Sequence, residues 1–325
     1  MKESLGKIVR YAFSAALAGG LLWLSFREVN WKEFVNVLGS CNWLMVVLSM
    51  AVGFFSCAVR ALRWKLLLNP VDKSVSRISC LDGVCLGRFA NLAVQHIGEL
   101  VRCGVVSRRG TPYDKVFGTV VVERAWDMFM LFAMLILTAW TSRERFGFFI
   151  GERVLGPISS RFSLSMGLIL FLLAAIALAA VWLVWRFRNR SRLCGRLWSF
   201  VTGTLDGMKA VLAMKGKGWF LILTFLLWFC FLMTSWLTIK ALPTDYGLGM
   251  ADALFLMLVG SVAGLVPVPG GFGAFHYIIA LALSTIYGIP WEMGIIFATL
   301  SHESQTLTTI LSGSCCLLNE SLSKK

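Results

Sequence analysis

Three ionisable residues lie within one turn of an otherwise apolar stretch, residues 116–140. Glu123 and Asp127 are four residues apart, so a helix would carry both carboxylates on one face, with Arg124 in reach of Asp127. Charged groups in apolar surroundings need partners or water. The pattern therefore predicts either a polar site that binds a substrate or a structural cluster of ion pairs.

A second polar group lies near the C-terminus, where His302 and Glu303 interrupt the apolar segment 293–318. Histidine titrates near neutral pH, so a proton-coupled step through His302 is one interpretation. The structural alternative is a His–Glu pair that satisfies its own hydrogen bonds or a neighbouring carbonyl group.

A run of proline and glycine breaks the apolar stretch before His276: Pro267-Val-Pro269-Gly270-Gly271-Phe-Gly273. The helix that resumes after this break would begin with free backbone N–H groups, which bind anions such as phosphate. Glycine lets a headgroup approach the backbone closely. The alternative is a simple turn that joins two helices.

A third polar region supplies amide, imidazole, carboxylate and guanidinium groups, from Asn91, Gln95, His96, Glu99 and Arg102. A planar guanidinium is suited to a bidentate phosphate contact, which makes Arg102 a candidate ligand of a headgroup. An arginine that extends to the membrane surface is the alternative. The sequence Arg60-Ala-Leu-Arg63-Trp64 is interpreted first as a cytoplasmic anchor and only second as a phosphate contact.

The composition places these residues in a membrane protein. Of the 325 residues, 58% are hydrophobic and 15% are charged, whereas a soluble domain is about 45–50% apolar and about 25% charged. Long continuous apolar runs indicate membrane-spanning helices and exclude the alternating pattern of a transmembrane barrel. We ascribe the net charge of +14 to basic cytoplasmic loops, not to nucleic-acid binding.

The nine cysteines form no C-x-x-C pair and lie mostly in apolar runs. They are interpreted as small buried hydrophobic residues. We therefore expect no disulfide framework, no metal site and no cofactor.

Six segments are long enough to span a membrane, because about 20 helical residues cross the hydrocarbon core. They are Ile8–Phe26, Asn42–Val59, Val116–Trp140, Leu164–Trp185, Trp219–Ile239 and Met293–Leu318. The first is expected to be a retained span, because no convincing signal-peptidase site follows it.

Two further apolar regions, at about 79–107 and about 253–287, consist of helical halves that are too short to cross. They predict re-entrant hairpins, which are tolerated at membrane depth when they are buried in protein or line a wet cavity. The alternative is that each hairpin is a pair of thin spans. Neither tip carries Lys or Arg, so loop charge does not decide between the two.

Loop charge predicts the orientation. Basic residues concentrate in segments 60–78 and 186–217, which should face the cytoplasm, while the nearly balanced segments 27–41 and 240–252 should lie outside. Both termini are then cytoplasmic, and the second half of the chain repeats the first upside down. Such inverted repeats are typical of secondary transporters, whose sites form where the two halves meet.

The predicted fold class is therefore an all-α polytopic membrane protein with an inverted repeat, about six full spans and two re-entrant helical hairpins. The first repeat covers residues 1–140, an external loop 141–162, and the second repeat 163–325. An amphipathic cytoplasmic helix is predicted at about 191–213. The pseudo-symmetry predicts that Glu123 and His302 face one another.

Four local patterns resemble the lysylphosphatidylglycerol synthase transmembrane-region family, which is flippase-like. They are Arg60-x-x-Arg63-Trp64, Gly87-x-x-x-Asn91…Gly98-Glu99-x-x-Arg102, Gly118-Thr-Val-Val-Val-Glu123-Arg124-x-x-Asp127 and Pro267-x-Pro269-Gly270-Gly271-x-Gly273. The resemblance implies a multi-pass protein of a prokaryotic cytoplasmic membrane, whose relatives move anionic lipids and in some cases carry an aminoacyl-transferase domain. That domain is not expected in this chain.

Two positions depart from the family pattern. Gln95-His96 stands where a Pro-x-Arg-like element is usual, and His276 stands where a glutamate is usual after the Pro-Gly-Gly turn. Both changes bear on the identity of the headgroup.

The favoured function is a lipid translocase in which Arg102, Arg124 and helix N-termini hold an anionic headgroup. Its partners would be membrane lipids; a homo-oligomer is left open. The rivals are a membrane-embedded transferase that modifies lipids and a small-anion or ion-coupled transporter. A transferase would need an acidic cluster that binds a metal or a glycine-rich loop that binds phosphate. The loop 186–217 contains one acidic residue, Asp206, and no such glycine-rich loop.

Overall fold

The computed structural model describes residues 19–27, 29–107, 110–141, 182, 185–188, 191–212, 214–264, 266 and 268–322. The N-terminal part of the predicted span Ile8–Phe26, the predicted external loop 141–162 and most of the predicted span Leu164–Trp185 lie outside these residues. Within the described ranges all regular structure is helical.

Ten α-helices with defined bounds follow a short helical stretch at residues 19–26. They are α1 (Trp31–Gly39), α2 (Trp43–Leu68), α3 (Arg77–Ala93), α4 (Gly98–Ser107), α5 (Tyr113–Thr141), α6 (Arg192–Leu212), α7 (Lys217–Ala241), α8 (Met250–Ala263), α9 (Ala274–Tyr287) and α10 (Trp291–Leu322). A 3₁₀ turn, Pro269–Gly271, precedes α9.

Three helical segments of the described chain are long and apolar enough to cross a membrane: Trp43–Leu68, Lys217–Ala241 and Pro269–Tyr287. The first begins one residue after the start of the predicted span Asn42–Val59, and the second contains the predicted span Trp219–Ile239. The third lies in the region 253–287, where the sequence predicted helical halves too short to cross. The predicted segments Val116–Trp140 and Met293–Leu318 each form part of one continuous helix, α5 and α10. The predicted amphipathic segment is helix α6, which packs against α5.

Helix α2 continues to Leu68, whereas the sequence predicted that the basic segment after Val59 would be a loop. The reason is the burial of Arg63 and Trp64, both of which have no exposed surface. Ion pairs with Glu123 and Asp127 neutralise Arg63. Helix α2 can therefore stay packed against its neighbours for two turns beyond Val59.

Large hydrophobic side chains are exposed along α2, α5 and α7, including Leu44, Val47, Phe129, Ile136 and Phe225. Soluble monomers rarely expose continuous apolar faces of this kind. These faces are the surfaces expected to contact lipid tails.

Helices α2 and α7 pack against each other in antiparallel directions. The Asn42 backbone N donates to the Ala241 carbonyl oxygen at 2.8 Å, and the Ser49 hydroxyl donates to the Thr234 carbonyl oxygen at 3.4 Å. Further along, the Arg63 guanidinium lies 5.8 Å from the centroid of the Phe220 ring. Residue numbers rise along α2 as they fall along α7.

Two helical pairs, α3–α4 and α8–α9, lie where the sequence predicted hairpins, and the helices of each pair pack together. In the first pair the Gly98 backbone N donates to Asn91 Oδ1 at 2.7 Å, which closes the turn. In the second, Gly270, Gly271 and Gly273 have φ angles of 63°, 78° and 81°, a region that favours glycine. The proline and glycine run therefore forms a turn that other residues would strain.

Each helical pair lies against its own hydrophobic core. Trp64, Leu67, Cys80 and Val116 are among the residues of the core formed by α2, α3, α4 and α5. Leu256, Ile279, Leu283, Ile295 and Phe297 are among those of a second core, to which α8, α9 and α10 contribute together with residues of α1, α2 and α7.

Helices α3 and α4 approach so closely that glycine is required at their contact. A Cβ atom on Gly98 would overlap the Gly87 carbonyl oxygen, whereas one on Gly104, also in α4, would meet nothing within 4 Å. We expect Gly98→Ala to lower the free energy of unfolding by about 1–3 kcal/mol, the usual cost of overpacking. Gly104→Ala, the matched control, should leave it unchanged or raise it. Thermal unfolding in detergent micelles measures both, and equal unfolding temperatures would contradict the prediction.

Candidate functional site

A buried ionic cluster joins α2, α4 and α5. Its centre is Glu123, which has no exposed surface. One carboxylate oxygen, Oε1, accepts a hydrogen bond from Arg63 Nη2 at 2.9 Å, and the other, Oε2, is paired with Arg102 Nη2. Arg63 and Arg102 are themselves buried, so this carboxylate holds three helices together.

Arg124 and two further acids complete the ionic cluster at its more exposed side. Arg124 Nη2 lies 3.1 Å from Glu99 Oε1, and Arg124 Nη1 lies 3.4 Å from Asp127 Oδ2. Asp127 Oδ1 is also 2.7 Å from Arg63 Nη1, as an ion pair without hydrogen-bond alignment. The contact between Arg124 and Asp127, which the helix spacing predicted, is therefore confirmed.

Arg102 is held from two sides. Its guanidinium lies 4.2 Å from the centroid of the Trp64 ring, a cation–π contact. The Trp64 indole N–H donates to Thr119 Oγ1 at 3.0 Å, and this bond orients the ring. Glu99 adds an ion pair at 3.4 Å. Arg102 therefore has its partners within the protein, while the Arg124 side chain remains 40% exposed.

A second cluster lies at the turn before α9 and consists of His276, His302 and Glu303. His302 Nδ1 is 3.0 Å from Glu303 Oε1, and His302 Nε2 is 2.8 Å from the Gly270 carbonyl oxygen. His276 Nε2 lies 3.7 Å from the same Oε1 atom. This histidine cluster ties α9, α10 and the turn to one another.

The tips of the two helical pairs touch. Gln95 Nε2, which follows α3, donates to the Gly264 carbonyl oxygen after α8 at 2.6 Å. Asn91, Gln95, Gly270 and Gly271 share the lining of a small cavity at this contact. His96, also in the α3–α4 turn, has a φ angle of 64°.

A larger cavity of about 390 Å³ lies between the two helical pairs, in the size range of small-molecule sites. Its walls come from α3, α7, α8, α9, α10 and the 3₁₀ turn. Polar lining groups include Arg88, Ser235, Ser301, His302 and Gln305, and apolar ones include Phe231 and Phe297.

Arg88 is the charged residue of this cavity that the sequence did not mark as a candidate ligand. Its Nη1 donates to Cys57 Sγ at 2.8 Å, and sulfur is a weak acceptor. Among the residues described, no carboxylate lies within ion-pair distance of it. The signal available in the sequence was an arginine in the middle of a predicted hairpin helix.

A polar stripe along α2 connects the cavity with the ionic cluster. Cys57 binds Arg88, the Arg60 guanidinium lies 5.9 Å from the ring of the cavity residue Phe231, and Arg63 belongs to the ionic cluster. These residues recur every three positions, which places them along one face of the helix.

The structure brings together Glu99, Arg102, Glu123, Arg124 and Asp127 in the ionic cluster. It brings His276, His302 and Glu303 together with the Pro269–Gly271 turn. It does not pair Glu123 with His302 as the pseudo-symmetry predicted. In the described parts of the chain, Glu123 finds its partners on α2 and α4, and His302 on the turn and its neighbour Glu303.

The long apolar helices and their exposed apolar faces define a polytopic, all-helical membrane protein. The model of one family, described as the lysylphosphatidylglycerol synthase TM region, matches residues 9–313. The chain belongs to this family. No curated protein and no solved structure matches it.

Glu123 is predicted to be essential for folding, because its removal leaves two buried arginines without a shared partner. We expect Glu123→Gln to lower the free energy of unfolding by about 3–5 kcal/mol, the usual cost of breaking a buried ion pair. Glu33→Gln, at an exposed position of α1, is the matched control and should cost less than about 0.5 kcal/mol. Denaturant unfolding in micelles measures both, and a cost for Glu123→Gln no larger than that of the control would contradict the structural role.

Proposed function

We propose that this protein is a lipid translocase that moves an anionic phospholipid or a polyprenyl-phosphate-type lipid across the cytoplasmic membrane of a prokaryote. The observation that carries the proposal is Arg88, a cation without a carboxylate partner among the described residues, in the wall of the 390 Å³ cavity between the helical pairs. A phosphate oxygen would replace the weak sulfur acceptor with a charged one.

An inverted repeat is part of this proposal, with the divisions 1–140 and 163–325 and with α3–α4 and α8–α9 as re-entrant hairpins. Three features support it. Helices α2 and α7, which hold corresponding places in the two repeats, run antiparallel. Each helical pair is followed by a long helix with an ionisable cluster. The tips of the pairs meet through Gln95 and Gly264.

The cavity suits a phosphate headgroup attached to apolar tails. Hydroxyl and amide groups from Ser235, Ser301 and Gln305 supply hydrogen-bond partners on the side of α7 and α10, and Arg88 supplies charge on the side of α3. Phe231 and Phe297 line the remainder. The acyl or prenyl tails would stay in the bilayer beside the exposed apolar faces.

The roles of the predicted arginines differ in this proposal. Arg124, the most exposed of the ionic cluster, makes a second phosphate contact along the path of the headgroup. Arg102 positions α4 through its bonds to Glu123 and Trp64. The orientation is the one predicted from loop charge, with both termini in the cytoplasm.

Arg88 is expected to be required for lipid movement and not for folding. Arg88→Gln should lower the rate of transbilayer movement at least tenfold in proteoliposomes, because a hydrogen bond to a charged group contributes about 1.5–3 kcal/mol. Arg88→Lys should retain part of the rate. Arg77→Gln, an exposed arginine at the start of the same helix, should move lipid at the wild-type rate. The substrates are fluorescent phosphatidylglycerol, phosphatidylethanolamine and polyprenyl-phosphate analogues.

The outcomes separate the rival functions. The wild-type protein in this test must show a cooperative unfolding transition. If lipids then exchange between leaflets equally fast in vesicles with the protein and in empty vesicles, the translocase is rejected for these lipids. Uptake of soluble phosphate by the same vesicles, abolished by Arg88→Gln, would favour an anion transporter. A mass change in lipid extracts would favour a transferase. Wild-type activity in Arg88→Gln would reject the cavity as the site.

A further inference from the structure

We propose that His276, His302 and Glu303 form a binding site for one divalent transition-metal ion of the Zn²⁺ class. The site shares His302 with the wall of the cavity but does not use Arg88. It goes beyond lipid movement and is tested by ion binding, so either proposal can fail without the other. No metal was expected from the sequence, since its nine cysteines form no C-x-x-C pair.

The geometry of the three side chains suits a single ion. One ligand atom from each lies within 4.8 Å of the other two. Glu303 Oε1 is 3.0 Å from His302 Nδ1 and 3.7 Å from His276 Nε2. Ligand atoms of a tetrahedral zinc ion are about 3.3 Å apart, given its bond lengths to nitrogen and oxygen. The two distances to Glu303 Oε1 lie on both sides of this value, and the two histidine ligand atoms lie within 4.8 Å of each other.

The hydrogen bond of His302 to the turn determines which ring nitrogen is free. The Gly270 carbonyl oxygen can only accept, so the proton of a neutral imidazole is on Nε2, 2.8 Å away. Nδ1 then directs a lone pair at Glu303 Oε1, which is also an acceptor. Two acceptors 3.0 Å apart repel each other unless a proton or a metal ion lies between them.

The same bond is the arrangement found around metal-binding histidines, which typically donate the second ring N–H to a backbone carbonyl or a carboxylate. The bond fixes the orientation of the ring and the tautomer. Gly270 itself is held by the positive φ angles of the turn. The turn therefore prepares one ligand before an ion binds.

His276 gives a second, independent observation. Its side chain is only 3% exposed. Nδ1 has no hydrogen-bond partner among the described residues, and Nε2 is too far from Glu303 for a hydrogen bond. Buried polar groups are nearly always satisfied, so an imidazole without a bond requires an explanation. Nε2 is the ring nitrogen that faces Glu303, so an ion coordinated through Nε2 would give this buried ring a partner in the cluster.

The surroundings favour a borderline transition metal. Two imidazoles and one carboxylate form a ligand set known for zinc sites with an open fourth position, whereas Mg²⁺ and Ca²⁺ prefer oxygen ligands. The ring centroids of Phe272 and Phe275 lie 4.9 and 5.4 Å from that of His302. The ring centroid of Phe26 lies 5.7 Å from that of His276. Such an apolar shell limits water around the ion. The ion would join α9 to α10 beside the turn.

Metal binding is tested on the full chain in micelles, purified without a histidine tag and treated with a chelator. The probe is Co²⁺, which reports nitrogen and oxygen coordination by its visible absorption. We expect one ion per chain, displaced by Zn²⁺, and an affinity at least tenfold lower in Glu303→Gln and in His276→Gln. Glu303 is 42% exposed on its side chain, so Glu303→Gln should fold even if His276→Gln does not.

His96→Asn is the matched control, because His96 is the third histidine of the chain and lies in the α3–α4 turn. Asparagine tolerates its positive φ angle, and the variant should bind Co²⁺ like the wild type. Binding that is equal in Glu303→Gln and the wild type, or absent from the wild type, would overturn the proposal. A thiolate-to-cobalt charge-transfer band would also overturn it, by assigning the ion to cysteine.

Discussion

The buried carboxylate of Glu123 is the constraint on which the arrangement of the first half depends. A carboxylate without exposed surface must be compensated, and both of its oxygens are taken by arginines from different helices. Arg63 brings in α2 and extends it past the predicted end of the span, and Arg102 brings in α4. Pairs of this kind add little net stability over an apolar core, but losing one member is costly. They therefore specify which helices meet.

Most helices were predictable from the sequence, because continuous apolar runs and proline or glycine breaks are local signals. The Glu123–Arg124–Asp127 spacing was informative for the same reason, since helix geometry alone places Arg124 beside Asp127. The end of α2 was not predictable. It depends on Glu123, sixty residues further along the chain, which converts Arg63 from a loop-like residue into a buried one.

Two polar features depend on contacts distant in sequence. One is Arg88, which the sequence did not mark as a ligand, and the other is the meeting of His276 with His302 and Glu303, which the sequence marked only separately. Arg88 becomes a candidate anion ligand only because α7, α8 and α10 close a cavity beside α3. The histidine cluster needs the turn to bring Gly270 to His302 and α9 to bring His276 to Glu303. Pseudo-symmetry suggested that Glu123 and His302 would meet. Such a symmetry would relate helices to one another, whereas side-chain partners depend on which residues each half of the chain carries.

The distribution of charge among the described residues sets Arg88 apart from the arginines of the ionic cluster. In the ionic cluster Arg63, Arg102 and Arg124 are matched by Glu99, Glu123 and Asp127, so these charges are compensated within the protein. Arg88, on α3, contacts α2 at Cys57. This contact carries no compensating charge. A cation in a low-dielectric wall is costly unless a negative group approaches it. The described carboxylates are engaged elsewhere or distant from Arg88, so its charge has no carboxylate counterpart in the described part of the chain. Under the proposed function, a headgroup phosphate in the cavity would supply that counterpart.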